Sequence, residues 1–389
     1  MKTLNCHYEM LNPNIVSSDN CYVVDENGKS YVDFESGVWC VSVGHNNKRV
    51  NEAIIRQIGA ISHVGGRYSS KIVDQAAGRV LNLLDFADGK CVFLSSGSEA
   101  VEFAVRSVQK VMNKPYFLCL KNHYLSAYGM SAARDKKQWI SLDLSEYCRN
   151  PANYLKDTPF DKIGTFVFEP GNASGMVKLP PADLINVIAD KLKENGGIIV
   201  VNEVTTGIGR TGKWFGYQHY NIRPDVVVMG KGIGNGYPVS VVALSKHVTD
   251  LIEKSDFRYL QSHQDDPLGC AVVNEVIQVI ESNGHIQRAA RMGDMLEHEL
   301  KSLQKRHGCV KEMRGIGLMY VMEFYDTSLS LEKVHKELFN EGYIVGHTAS
   351  ANLLRFYPPL TIDEGQIRSM AGALDAVLSK ENGNRGAKQ

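Results

Sequence analysis

Lys231 lies in VVVMGKGIGNGYPVS, a single amine in a bed of glycines at the end of an apolar run. Upstream, the run GIIVVN ends on the polar side chain of Asn202 and leads into EVTTGIGRTG. If both runs are strands of one sheet, Asn202 and Lys231 face the same place. A lysine there can form a Schiff base with an aldehyde, and the residue on the earlier strand can touch the far end of the ring that carries it. A solvated turn lysine is the plainer reading. Four apolar residues ahead of Lys231 favour a cleft, where burial lowers the pKa of the amine and frees it as nucleophile or base.

A second chemical feature is VFLSSGSEAVEFAVRS, in which a strand ends in Ser95-Ser96-Gly97-Ser98 and a helix begins at once. Free backbone N–H groups and the positive end of a helix dipole favour a phosphate there. Gly97 permits close approach, and Ser96 and Ser98 add hydroxyls. A plain serine N-cap fits the same residues, so both readings stand. The glycines around Lys231 and in TTGIGRTG match neither the dinucleotide fingerprint nor the Walker A spacing.

These side chains need a frame. Strands are predicted over 90–95, 116–121, 163–169, 197–202, 225–230 and 239–245, with helical periodicity over 98–112, 181–196 and 266–282. Near-continuous apolar strands alternating with amphipathic helices indicate an α/β fold with a mostly parallel sheet covered on both faces. Ligands then collect at the carboxyl ends of the strands, where Ser96, Glu169, Asn202 and Lys231 fall. The run CYVVDENGKSYVDFESG reads as a hairpin, and residues 283–389 read as a smaller α+β lobe with a frayed polar tail. The expected division is an N-terminal segment 1–40, a large domain 41–282 and a small domain 283–389.

Bulk composition narrows the classes. The chain has 389 residues, 43% of them apolar, enough for one large core and a second lobe. Lysine plus arginine equals aspartate plus glutamate at 43 each, which offers no basic surplus for nucleic acid. The eight cysteines form no Cys-x-x-Cys pair, so neither a disulfide framework nor a metal site is expected. With no apolar leader or membrane-length run, a cytoplasmic protein is the expectation.

Five stretches, SGSEAVEFA, FEP, NEVTTGIGRTG, PDVVVMGKG and RFYPPL, together resemble the class III aminotransferases of fold type I, the pyridoxal-phosphate enzymes that include acetylornithine, ornithine and ω-amino acid aminotransferases. The resemblance runs from about residue 21 to beyond 362. It implies a seven-stranded sheet, pyridoxal 5'-phosphate, an amino donor, an α-keto acid acceptor and a homodimer with shared sites. Lys231 would hold the cofactor and shuttle protons. Gly97 and Ser98 would hold its phosphate, beside Ser96, with Ser262 of LQSHQDD reaching a phosphate across the dimer interface. Tyr124 would stack on the ring if aligned from the strand before it; alignment from Ser131 puts Asn122 there instead. Arg355 would bind the substrate carboxylate, Glu169 would pair with that arginine when an amine lacking the carboxylate is bound, and Trp39 would line the pocket.

Two departures sit together. Where the family has Asp-Glu-Val-Gln along the cofactor, this chain has Asn202-Glu203-Val204-Thr205. The family's aspartate keeps the pyridine nitrogen protonated, each pKa unit amounting to about 1.4 kcal/mol. Asn202 carries no charge, so a weaker electron sink is expected. Thr205 is shorter than the glutamine that reaches the ring's phenolic oxygen. An aminotransferase with atypical tuning follows first. A racemase or epimerase of the same family, and a catalytically weak cofactor-binding scaffold, remain beside it.

Overall fold

The computed structural model describes residues 11, 14–171, 175–325 and 329–386, with side chains to 381. Cys6, the opening ten residues and the tip of the polar tail, 387–389, lie outside the described residues. The chain opens with β1 (Ile15–Asp19), β2 (Tyr22–Asp25) and β3 (Ser30–Asp33). The predicted hairpin is β2–β3. Asp25 Oδ1 accepts from the amides of Asn27 and Lys29, both at 2.9 Å, and Gly28 supplies the positive φ of 82° that the turn requires.

The central sheet contains β4 (Lys90–Leu94), β5 (Tyr116–Leu120), β6 (Trp139–Leu142), β7 (Ile163–Phe168), β8 (Ile198–Asn202), β9 (Val226–Met229) and β10 (Ser240–Leu244). Their spatial order is β4-β10-β9-β8-β7-β5-β6. β10 is antiparallel to both of its neighbours and the remaining pairs are parallel, so only β10 runs against the rest. The sheet is seven-stranded, as the resemblance implied. Every residue of β7, β8, β9 and β10 is buried, which explains their unbroken runs of β-branched and aromatic side chains. Two apolar clusters fill the two faces, one built around the helix Gly97–Val111 and the other around Ala182–Glu194 and Pro267–Ser282.

β6 was not predicted. It is a four-residue edge strand inside KKQWISLDL, too short for a clear periodic signal, and the stacking of Trp139 on Phe117 at 4.8 Å fixes it.

The C-terminal part contains β11 (Val310–Ile316), β12 (Met319–Phe324), β13 (Tyr343–Ile344), β14 (Gly346–Thr348) and β15 (Leu353–Phe356). β11-β12-β15-β14 form one sheet, whereas β13 joins β3 in parallel and extends the N-terminal hairpin. The first and last parts of the chain are therefore laced into one sheet. Among the described residues, no helix is long and apolar enough to cross a membrane.

Candidate active site

Parallel strands converge on one edge. Ser96 follows β4, His123 and Tyr124 follow β5, Glu169 follows β7, Asn202 ends β8, and Lys231 follows β9.

Lys231 starts a single 3-10 turn, Lys231–Gly234, with a positive φ of 46° that is uncommon for a side-chain-bearing residue. Its Nζ donates to Thr205 Oγ1 at 3.1 Å and lies 4.6 Å from the centre of the Trp39 ring. Burial holds the amine below the ordinary lysine range, with the charges of Cys40, Glu169 and Glu35 opposing. The turn is clasped from the N-terminal segment. Ser42 Oγ donates to Gly232 O at 2.6 Å, and the Asn235 side chain accepts from Val43 N at 2.9 Å and donates to Gly44 O at 3.0 Å.

Trp39 reaches Lys231 through an unusual backbone. Ser36, Gly37, Val38 and Trp39 have φ of 47°, 57°, 58° and 70°, a whole turn in the left-handed region. Only Gly37 adopts this without steric cost, and Val38 is β-branched. Neighbouring groups hold the turn. Asp33 accepts from Glu35 N and Gly37 N, each at 2.8 Å, Trp39 N donates to Glu35 O at 2.6 Å, and Ser36 Oγ donates to Tyr357 O. The Trp39 ring then stacks on Tyr357 at 5.0 Å within a small apolar cluster of its own.

Arg355, in β15, is buried. Its Nε donates to Glu35 Oε1 at 3.3 Å, its Nη1 donates to Thr348 Oγ1, and its guanidinium lies 5.6 Å from the Trp39 ring centre. Burial pushes the Glu35 carboxyl up, and Arg355 pulls it back. Glu169, after β7 of the central sheet, is buried, with Oε2 3.9 Å from His123 Nδ1. Glu35, whose carboxylate pairs with Arg355, is a residue that sequence reasoning did not single out. Its only sequence signal is its place in ESGVWC, four positions before Trp39.

At the β4 end, Ser96 caps the helix, its Oγ accepting from Glu99 N at 3.2 Å while Glu99 Oε2 accepts from Ser95 N at 3.0 Å. The amides of Gly97 and Ser98 belong to the first turn and have no intrahelical acceptor. Ser98 Oγ accepts from Ala127 N at 2.9 Å, which leaves its own proton to donate. A Cβ on Gly97 would stand 2.7 Å from Val204 Cγ1, and one on Gly230 would stand 3.3 Å from Gly97 Cα. The helix N-terminus, Val204 and the residue before Lys231 therefore meet closely enough that a Cβ at Gly97 would overlap Val204 and one at Gly230 would crowd Gly97.

Asn202 is buried. Its Oδ1 accepts from Val204 N at 3.1 Å and its Nδ2 donates to Tyr124 O at 3.4 Å. Tyr124 touches the site through this carbonyl, and its side chain is 45% exposed. Asn122 sits in the left-handed region at φ 67°. Glu203 points away and organises the following loop, accepting from Thr206 Oγ1, Gly216 N and Tyr217 N at 2.7, 2.8 and 2.7 Å. Burial pushes its carboxyl up to about 7. Ser262 is exposed, on a segment tied down by Tyr259 and Asp265.

Residues 4–378 match the family model described as Aminotransferase class-III. The acetylornithine aminotransferase of Caldanaerobacter subterraneus is 29% identical, the alignment covering 94% of each chain. A [LysW]-aminoadipate semialdehyde/glutamate semialdehyde transaminase of Sulfurisphaera tokodaii is 26% identical over 95% of each. The crystal structure of an S-selective transaminase from Arthrobacter sp. superposes with a TM-score of 0.88 at 23% identity, over 98% of this chain and 97% of that one, a likeness of fold. The chain belongs to the class III aminotransferases, which are pyridoxal-phosphate-dependent transaminases.

The residues present fit that cofactor. A buried amine, free first-turn amides, a glycine contact that any Cβ would fill and a polar residue at the far strand end all converge. At the end of β8 the polar group is the uncharged amide of Asn202, and the hydroxyl beside the amine is that of Thr205.

Proposed function

We propose that the chain moves an amino group between an amino acid or ω-amine donor and an α-keto acid, with Lys231 as the catalytic amine. When bound, pyridoxal phosphate supplies an aldehyde that condenses with amines and a conjugated ring that accepts the electron pair of a breaking C–H bond. The observation that carries the reading is the Lys231 Nζ, buried between the Thr205 hydroxyl and the Trp39 indole at the carboxyl ends of the parallel strands. A desolvated amine with lowered pKa is nucleophilic, and later it can take and return a proton.

The other residues bind and orient. Gly97 and Ser98 present donors to the phosphate, with Val204 packed beside them. Ser262 is exposed, as a residue completing the phosphate site of a second copy in a homodimer must be. Arg355 recognises a carboxylate through its planar fork. Trp39 forms a wall shared by Lys231 and Arg355, and Glu169 adds negative charge near the amine. Asn202 offers the ring nitrogen an amide donor where the resembling enzymes offer a carboxylate, so the nitrogen stays unprotonated and the ring is a weaker acceptor.

A donor screen with pyruvate and 2-oxoglutarate as acceptors, read by keto product formed from the donor, tests the reaction. Lys231→Ala should abolish both product and the protein-bound cofactor's visible absorbance; a surviving band refutes the lysine assignment. Asn202 favours one second reading, racemisation, because an uncharged ring discourages full delocalisation of the electron pair. Solvent deuterium entering the α-carbon with loss of chirality and no keto product would establish that reading in place of transamination. No response to any amine would leave only a binding scaffold.

A further inference from the structure

Two groups that meet the Lys231 amine are rigidly held. Thr205 Oγ1 accepts from Nζ at 3.1 Å, and the Trp39 ring centre lies 4.6 Å away. Thr205 is in the turn after β8, and its neighbours are tied on both sides. Val204 N donates to Asn202 Oδ1 at 3.1 Å, and Thr206 Oγ1 donates to the buried Glu203 at 2.7 Å. A β-branched side chain on such a backbone has few rotamers with which to move its hydroxyl. Trp39 is fixed by its left-handed turn, by its stack on Tyr357, and by its Nε1, which donates to Glu35 Oε1 at 3.5 Å. The titratable groups whose charges reach the amine are Cys40 and Glu35 of the N-terminal segment and Glu169 after β7. The turn after β8 brings a hydroxyl to the same amine.

We infer that Thr205 and Trp39 are positioning residues that hold the proton Lys231 takes from the donor, an assignment that rests on the transaminase reading above. The unattached amine is the form that takes this proton. The substrate C–H bond breaks, its electron pair stays on the substrate side, and its proton joins the Nζ lone pair, turning –NH2 into –NH3+. Burial alone would drive that proton off, because the ammonium has lost the acceptors that water provides. Thr205 Oγ1 accepts one of its N–H bonds, and the electron-rich ring of Trp39 attracts its charge, more strongly in a desolvated site than in water. Both contacts favour the charged form, so they act on the product of the proton transfer and not on the resting base. On the proposed place of Asn202, the ring is the weaker electron acceptor, and the proton's destination supplies more of the driving force. Thr205 stands where the resembling enzymes have a glutamine directed at the ring's phenolic oxygen; in this chain its hydroxyl bonds the lysine.

Thr205→Val keeps the shape and removes the hydroxyl, whereas Thr205→Ser keeps the hydroxyl. In the cofactor-free proteins, the rate of pyridoxal phosphate association against pH reports the protonation of the amine itself, since only –NH2 condenses with an aldehyde. Loss of a contact that favours the ammonium moves the midpoint of that profile to lower pH. Thr205→Val should move it by about one pH unit, a tenfold change in proton affinity. Trp39→Phe, an independent arm with a smaller ring, should move it less and in the same direction, and Thr205→Ser should leave it in place. In the loaded enzyme, Thr205→Val should lower kcat about tenfold at unchanged KM for the donor, with Thr205→Ser retaining activity. Thermal unfolding verifies the fold of each variant. A serine variant that behaves like the valine variant overturns the assignment. Keto product from the unsubstituted chain together with an unmoved midpoint in Thr205→Val overturns it and leaves the transaminase reading standing. No keto product from the unsubstituted chain with any donor would sink that reading and the assignment with it.

Discussion

The carboxylate of Glu35 and the guanidinium of Arg355 form a buried ion pair, Oε1 to Nε 3.3 Å, between residues 320 positions apart. The arginine proposed to receive a substrate carboxylate therefore already holds an internal one. An incoming carboxylate competes with Glu35, and a donor without one leaves the pair intact. Glu35→Gln keeps the shape and removes the charge. On the proposed role of Arg355, it should lower KM for carboxylate-bearing substrates about tenfold, equivalent to about 1.4 kcal/mol. Donors lacking the carboxylate should gain nothing. Steady-state kinetics on a matched pair of donors decides, and equal changes for both would remove Glu35 from substrate selection.

Gly97→Ala should weaken cofactor binding about tenfold or more, because the new methyl lands 2.7 Å from Val204 Cγ1. Val204→Ala opens that space, so the double variant should bind better than the additive sum. Equilibrium dialysis of the four proteins measures the coupling. Strict additivity would show that the two positions do not share one contact.

Val38→Gly should stabilise the protein by about 1 kcal/mol. Val38 is half-exposed and held at φ 58°, so the substitution removes steric strain and little packing. Urea unfolding at neutral pH gives the sign. A loss of stability would mean that the valine side chain supports the turn.

His123 gives a pH signature. It is buried, and among the described residues neither ring nitrogen has a hydrogen-bond partner. Burial, aided by the Arg134 charge, pushes its pKa down from 6.5 to about 3. The unfolded chain therefore takes up a proton below about pH 6.5 that the folded chain refuses until about pH 3. Folding stability should fall through that window, with His123 accounting for about 3 kcal/mol by about pH 4. His123→Leu should flatten this limb and, by removing two unsatisfied nitrogens, cost little at neutral pH. Unfolding of the cofactor-free proteins at several pH values checks both.

The sequence exposed those parts of the fold whose signal is local. Buried strands announced themselves as unbroken β-branched runs, and the side chains at their carboxyl ends followed from the runs. Asn202 and Lys231 came to light together for that reason. The edge strand Trp139–Leu142 stayed hidden because four residues cannot establish a period and its stacking partner lies on another strand. Glu35 stayed hidden because nothing near it in sequence names Arg355. The left-handed turn at Ser36–Trp39 was also unreadable, since three of its four residues are not types that seek positive φ.

The clasp on Lys231 has a consequence for synthesis. The lysine's loop is held by Ser42 and Asn235, Trp39 rests on Tyr357, and Ser36 bonds the backbone of Tyr357. A nascent chain that has just finished the seventh strand of the central sheet has its lysine and Trp39 but lacks Tyr357, the ring on which Trp39 rests. The packing around the lysine is therefore complete only when the last strand, Leu353–Phe356, and Tyr357 after it have been made.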